Sequence, residues 1–122
     1  LHHPVHRLAE PADAVATTNC VAATVRGAFD GQPRGIGGRA ILDASVRQVE
    51  SIAERVAHQG LALRILGVGG ITTAQDVRRY LSAGAEGVQL ATAVMVDPEV
   101  GLRIRKRLQA QCDSPSPRGS KQ

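Results

Sequence analysis

Two glycines at the end of an apolar run limit what this chain can become. Residues 63–68 read as a buried strand, apolar throughout apart from Arg64, and Leu66-Gly67-Val68-Gly69-Gly70-Ile71-Thr72-Thr73 carries that strand into a turn. Runs of this kind suit a parallel strand covered on both faces. Thr73 with Asp76 three residues later resembles a capping box, so a helix opens there. A strand, a bare turn and a helix N-terminus together predict an anion site. The first N–H groups of a helix lack intrahelical partners, the dipole is positive there, and glycine lets a phosphate come close to the backbone. About twenty residues on, Gly87-Val88-Gln89-Leu90-Ala91-Thr92-Ala93 repeats the pattern: a strand over 87–91 ending in small residues. Two neighbouring strand ends make one cradle.

The flanking segments supply the helices. Ser45 is placed to cap a helix whose Val46, Val49, Ile52, Ala53 and Val56 share a face, with Arg47, Gln48, Glu50, Glu54 and Arg55 toward water and Gly60 as its stop. After Thr73, Val77, Tyr80 and Leu81 are expected to face inward, and Gly84 ends that helix. Asp97, Pro98 and Glu99 open a last one, where Val100, Ile104 and Leu108 repeat every four residues. Upstream, Ala14-Val15-Ala16-Thr17-Thr18 leans toward a strand, which puts Thr18, Asn19 and Cys20 at its C-terminal mouth, where parallel α/β folds bind ligands. Residues 21–40 have no sustained period and read as a long glycine-rich loop, with Gly35-Ile36-Gly37-Gly38 able to present backbone amides.

Strand and helix alternate three times, so the expected class is α/β: a partial TIM (β/α)8 barrel, its last three β/α units with parallel strands. The divisions are 1–11, the end of a preceding helix or a frayed N-terminus; 12–110, the C-terminal part of the barrel with its phosphate site; and 111–122, a disordered tail. Hydrophobic residues make up 43% of the 122, enough for a core, yet such barrels take roughly 250 residues. A fragment is therefore expected.

The formal charge of +4 gathers near the C-terminus in Arg103, Arg105, Lys106, Arg107, Arg118 and Lys121, where cations suit a helix end. Phe29 and Tyr80 are the sole aromatics, so no stacking platform interleaves the charge and nucleic acid is excluded as a partner. Cys20 and Cys112 have no framework or metal spacing and read as reduced thiols. His2, His3 and His6 at a chain end do not make a metal site. No apolar run approaches the roughly 20 residues of a membrane span, and the N-terminal residues show no signal-peptide core. The expected location is the cytoplasm.

From about residue 12 to 108 the chain resembles the C-terminal portion of dihydroorotate dehydrogenases, FMN-dependent barrel enzymes of pyrimidine biosynthesis. The motifs that carry the resemblance are Thr18-Asn19, Gly35-Ile36-Gly37-Gly38, Gly67-Val68-Gly69-Gly70-Ile71 and Val88-Gln89-Leu90-Ala91-Thr92-Ala93, in that order. Cys20 stands where the family commonly has Thr, and Gly37 where it has Ser. The resemblance implies an oxidoreductase that oxidises dihydroorotate to orotate. Thr18 and Gly38 would contact FMN, Gly69 and Gly70 would give amides to its phosphate, and Ala91 with Thr92 would complete the cradle. Asn19 and Cys20 would touch the pyrimidine substrate, and an Asn amide offers the donor and acceptor that a pyrimidine edge needs. Hydride chemistry would be the flavin's.

The family's catalytic base and a flavin-contacting lysine lie on strands earlier than any here, so no catalytic residue is assigned and the chain alone is expected to be inactive. Cys20 has no neighbouring cation or histidine to activate it and reads as a structural or substrate-lining thiol. Two rival readings follow from the same residues. One is another phosphate-binding barrel enzyme or flavin oxidoreductase, since barrels host many chemistries. The other is a non-catalytic half-barrel that closes its sheet against a partner or a second copy, because a three-stranded parallel sheet leaves edges and an apolar face uncovered.

Overall fold

A computed structural model describes residues 12–18 and 20–113. The expected division 1–11, with its three histidines, lies outside the described residues, as does Asn19. Strand β1 (Ala14–Thr17) leads into an antiparallel hairpin, β2 (Val21–Thr24) and β3 (Pro33–Ile36), with a short 3-10 turn at Phe29–Gly31 between its arms. A second 3-10 turn, Gly38–Ile41, opens α1 (Leu42–Gln59); β4 (Arg64–Val68), α2 (Ala74–Ala83), β5 (Gly87–Gln89), α3 (Thr92–Val96) and α4 (Val100–Asp113) follow. The main sheet is parallel, in the order β1-β4-β5. This is the expected parallel set of β/α units of a partial barrel.

The register makes the strand ends level. Thr17, Gly67 and Val88 lie in one row across the sheet, so the loops after all three strands leave at the same height. Side chains alternate across a pleated sheet. Val15 and Ile65 point toward the helices, while Ala16, Leu66 and Gly87 form a row on the other face. Ile65 is buried, and Leu66 is half-buried.

The core lies between the sheet and α1, α2 and α4. Val46, Val49 and Ile52 come from α1, Val77 and Tyr80 from α2, and Val100 and Ile104 from α4. The apolar period expected for α1 is the one that packs, with Ala53 and Val56 partly buried at its margin. Gly60 and Gly84 end α1 and α2 in the left-handed conformation, as their positions predict. At Gly84 the conformation is reinforced by space: a Cβ there would lie 2.5 Å from the Cβ of Ala53.

Four expectations need correction. Residues 21–40 are not one loop; Val21 pairs with Ile36 and Thr24 with Pro33 in the hairpin. That pairing was hidden because most side chains of β2 and β3 are exposed, so neither arm shows a two-residue period. Ser45 is not a cap: α1 begins at Leu42, three residues earlier, and Ser45 is fully buried inside it. Leu81 faces outward, 43% exposed. Finally, α4 runs through Asp113, past the boundary expected at 110, and carries the exposed Cys112.

Candidate functional site

At the level ends of β4 and β5 a cavity of about 340 Å³ opens. Its walls bring together five of the six residues expected to bind the cofactor, Gly38, Gly69, Gly70, Ala91 and Thr92, from three separate segments of the chain. Gly38 has φ +73, and a Cβ on it would lie 3.5 Å from Cγ2 of Thr92, so the glycine loop and the loop after β5 face each other with room for about one methyl group between them. Thr18 is one step removed. Its carbonyl oxygen would sit 2.7 Å from a Cβ on Gly69, which puts it directly behind the turn. Cys20 does not line the cavity; it is exposed at the start of the hairpin, against Gly35.

The two turn glycines are required by the protein before any ligand is considered. At Gly69, φ +122, a Cβ would meet Ile41 at 2.7 Å; at Gly70, φ +75, it would meet Leu42 at 2.7 to 2.9 Å, including backbone atoms. Only glycine tolerates both the conformation and the approach. The turn thus lies flat on the start of α1.

Beneath the turn is a buried polar knot. The carbonyl oxygen of Val68 accepts from the Thr18 amide at 2.9 Å, the Ser45 hydroxyl at 2.6 Å and the Tyr80 hydroxyl at 3.1 Å. The Thr18 amide is shared with Ser45 Oγ at 3.1 Å, and the Tyr80 hydroxyl also reaches the Gly69 carbonyl at 2.6 Å. Tyr80 is fully buried, and burial pushes its phenol above the ordinary value. Its ring occupies the place of the side chain that β4 lacks: a Cβ on Gly67 would fall 2.2 Å from Tyr80 Cδ1.

The helix start is not the free donor set that the sequence suggests. Asp76 completes the capping box with Thr73, and its Oδ2 accepts from the Thr72 amide at 3.0 Å, the Thr73 amide at 3.1 Å and the Thr72 hydroxyl at 3.2 Å. The Asp76 amide in turn donates to Thr73 Oγ1. A carboxylate of the chain therefore already occupies the positive end of α2. Burial pushes the Asp76 carboxyl up, but the Thr72 amide, the Arg39 guanidinium and Thr73 outweigh it and hold the group below its ordinary value.

Arg39 is the cavity-lining residue that pattern reading missed. It follows Gly38, and its Nη1 donates to Asp76 Oδ2, to Thr72 Oγ1 at 3.0 Å and to the Gly70 carbonyl at 3.3 Å. The arginine is 57% exposed and lines the cavity, whereas Asp76 is 4% exposed. On the opposite wall Arg103 pairs with Asp97, whose other oxygen accepts from the Glu99 amide at 3.1 Å. A lone arginine in a glycine loop carries no periodic signal. The acceptors that give it meaning are more than thirty residues away.

The site so described can hold an anion against backbone and guanidinium groups, and comparisons with known proteins give the family of the chain. The dihydroorotate dehydrogenase family model matches residues 12–112. The chain belongs to that family.

Relatives bear it out. A Solibacter usitatus protein provisionally named dihydroorotate dehydrogenase A (fumarate) is 34% identical over 113 residues, 86% of this chain and 36% of the relative. The catalytic subunit of dihydroorotate dehydrogenase B (NAD(+)) from Methanothermobacter thermautotrophicus is 39% identical over 77 residues, 62% of this chain and 24% of that one. Among solved structures, the Eimeria tenella DHODH in complex with ferulenol matches with a TM-score of 0.70 at 23% identity, over 88% of this chain and 31% of that chain; this likeness bears on the fold. The chain thus spans about a quarter to a third of the length of the family members named here. Among the described residues no group of His, Cys, Asp and Glu could hold a metal ion, and no helix is long and apolar enough to cross a membrane.

Proposed function

We propose that this chain forms the phosphate-binding end of an FMN-dependent oxidoreductase of the dihydroorotate dehydrogenase type, acting on dihydroorotate in pyrimidine biosynthesis. The observation that carries the reading is the convergence of Gly38, Gly69, Gly70, Ala91 and Thr92 on one cavity, in a chain of this family. The residues present fit the group: closely approachable backbone at Gly38, small side chains after β5, and a guanidinium on the rim. Gly69 and Gly70 would give amides to the phosphate, Ala91 and Thr92 would close over it, and Gly38 with Thr18 would lie along the flavin. Because Asp76 takes the amides of Thr72 and Thr73, the donors left to a phosphate lie upstream, at the two glycines.

FMN supplies the hydride chemistry when bound. The chain's own residues bind and orient it. Asn19 and Cys20, which follow β1 in the sequence, are proposed to touch the substrate. No described residue is assigned as the base, and the 122-residue chain by itself is expected not to oxidise dihydroorotate.

The test is a titration of FMN into the purified chain, followed by flavin fluorescence, with Thr92→Glu as the control. Thr92 is exposed on the cavity wall, so a carboxylate there opposes the phosphate without entering the core. Saturable binding that Thr92→Glu abolishes is the expected result. Binding unaffected by this substitution would move the phosphate elsewhere.

A further inference from the structure

Arg39 is given no role of its own in the reading above beyond a guanidinium on the rim, yet its position is the most constrained of any cation on the cavity wall. One nitrogen, Nη1, faces three acceptors on a segment more than thirty residues away: the Gly70 carbonyl, the Thr72 hydroxyl and the Asp76 carboxylate. The first two belong to the turn between β4 and α2, and the third to the first turn of α2. The arginine itself lies at the start of the 3-10 turn that leads into α1. It is therefore a cross-link between the two loops that shape the cavity.

The charges explain what the cross-link is for. Asp76 is ionised, nearly inaccessible, and spends the dipole of α2 on itself. Left unpaired, that carboxylate would set a negative field beside an anion site in poorly hydrated surroundings, where like charges are weakly screened. A guanidinium holding the same oxygen removes the conflict, and the arginine, 57% exposed, still lines the cavity.

We propose that Arg39 is a positioning residue of the cradle: its bridge to Gly70, Thr72 and Asp76 fixes the turn against the glycine loop and cancels a carboxylate charge that would otherwise oppose a bound phosphate. This rests on the phosphate reading given above. It assigns to Arg39 an effect on the phosphate of a flavin and none on the isoalloxazine ring.

The experiment compares FMN with riboflavin, which lacks the phosphate, by fluorescence titration of the 122-residue chain as wild type, Arg39→Lys, Arg39→Gln and Arg39→Gln combined with Asp76→Asn. Wild type should prefer FMN. Arg39→Gln should reduce that preference by about tenfold, the effect of one charge pair at short range in a partly exposed site, while riboflavin binding stays put. Arg39→Lys should restore part of the preference, and adding Asp76→Asn to Arg39→Gln should restore it as well, because the opposing charge is then gone. Equal weakening of FMN and riboflavin, or no gain from Asp76→Asn, would overturn the proposal in favour of a structural bridge alone. If wild type shows no preference for FMN, the phosphate reading itself fails. The positioning half is then judged by amide hydrogen exchange at Thr72 and Thr73, whose N–H groups Asp76 holds, and which must accelerate in Arg39→Gln; unchanged exchange would sink it too.

Discussion

The Ser45 hydroxyl donates to the Val68 carbonyl over 2.6 Å from inside α1, while the amide of Thr18 shares its hydrogen bond between these same two residues. One fully buried serine thus fastens the end of β1 to the end of β4. Ser45→Ala leaves the Thr18 amide with Val68 alone and is expected to lower stability by about 1 to 2 kcal/mol, read as a lower urea midpoint at an unchanged slope. An unaltered midpoint would show that the knot does not need the hydroxyl.

Gly67 and Tyr80 are a matched pair. Gly67→Ala drives a methyl into the ring, 2.2 Å from Cδ1, and should cost about 3 kcal/mol, at the upper end for overpacking a core. Tyr80→Leu in the same molecule should recover part of that loss, so the two effects fall well short of additive. Denaturant unfolding of both single variants and the double variant decides it.

Two helix stops with similar roles should respond unequally to alanine. Gly60, φ +62, has open space where a Cβ would go, whereas Gly84, φ +115, would press on Ala53 at 2.5 Å. Gly60→Ala is expected to cost about 1 kcal/mol, the left-handed penalty alone, and Gly84→Ala measurably more. Thermal midpoints of the two variants side by side test the order.

Acid should loosen the turn through Asp76. Its folded pKa is depressed below the ordinary 3.8, so the stabilisation it brings is fully present above that value and is lost as pH falls through the lower, folded one. Wild type should therefore lose stability below about pH 4, and Asp76→Asn, less stable at neutral pH, should show a shallower acid limb. Urea midpoints at pH 7 and pH 3 for both proteins give the comparison; parallel slopes would place the acid response on other carboxylates.

Much of the fold was legible because it is periodic. The face formed by Val46, Val49 and Ile52, and the stops at Gly60 and Gly84, follow from local rules and appear where those rules put them. So does the cavity that gathers Gly69, Gly70, Ala91 and Thr92, since parallel strands in register bring their ends level; Gly38 joins it from the glycine loop, where only the family resemblance pointed to it. What escaped was non-local or unpatterned. The hairpin between Val21 and Ile36 buries too little to show a period. Ser45 looks like a cap to any reading of neighbours, because its acceptor is a carbonyl 23 residues away. The two turn glycines were legible as necessary but for an incomplete reason: a ligand's approach was foreseen, and the pressure of Ile41 and Leu42 was not. Arg39 escaped for the same cause, as its partners are assembled only by the fold.

The ring that fills the space above Gly67 is also the chain's single tyrosine, and there is no tryptophan. Its hydroxyl touches the carbonyls of Val68 and Gly69, immediately under the turn. All intrinsic ultraviolet emission excited beyond the phenylalanine band thus originates at one spot directly below the cavity. The molecule carries its own optical probe at the place where a reporter group would otherwise have to be attached.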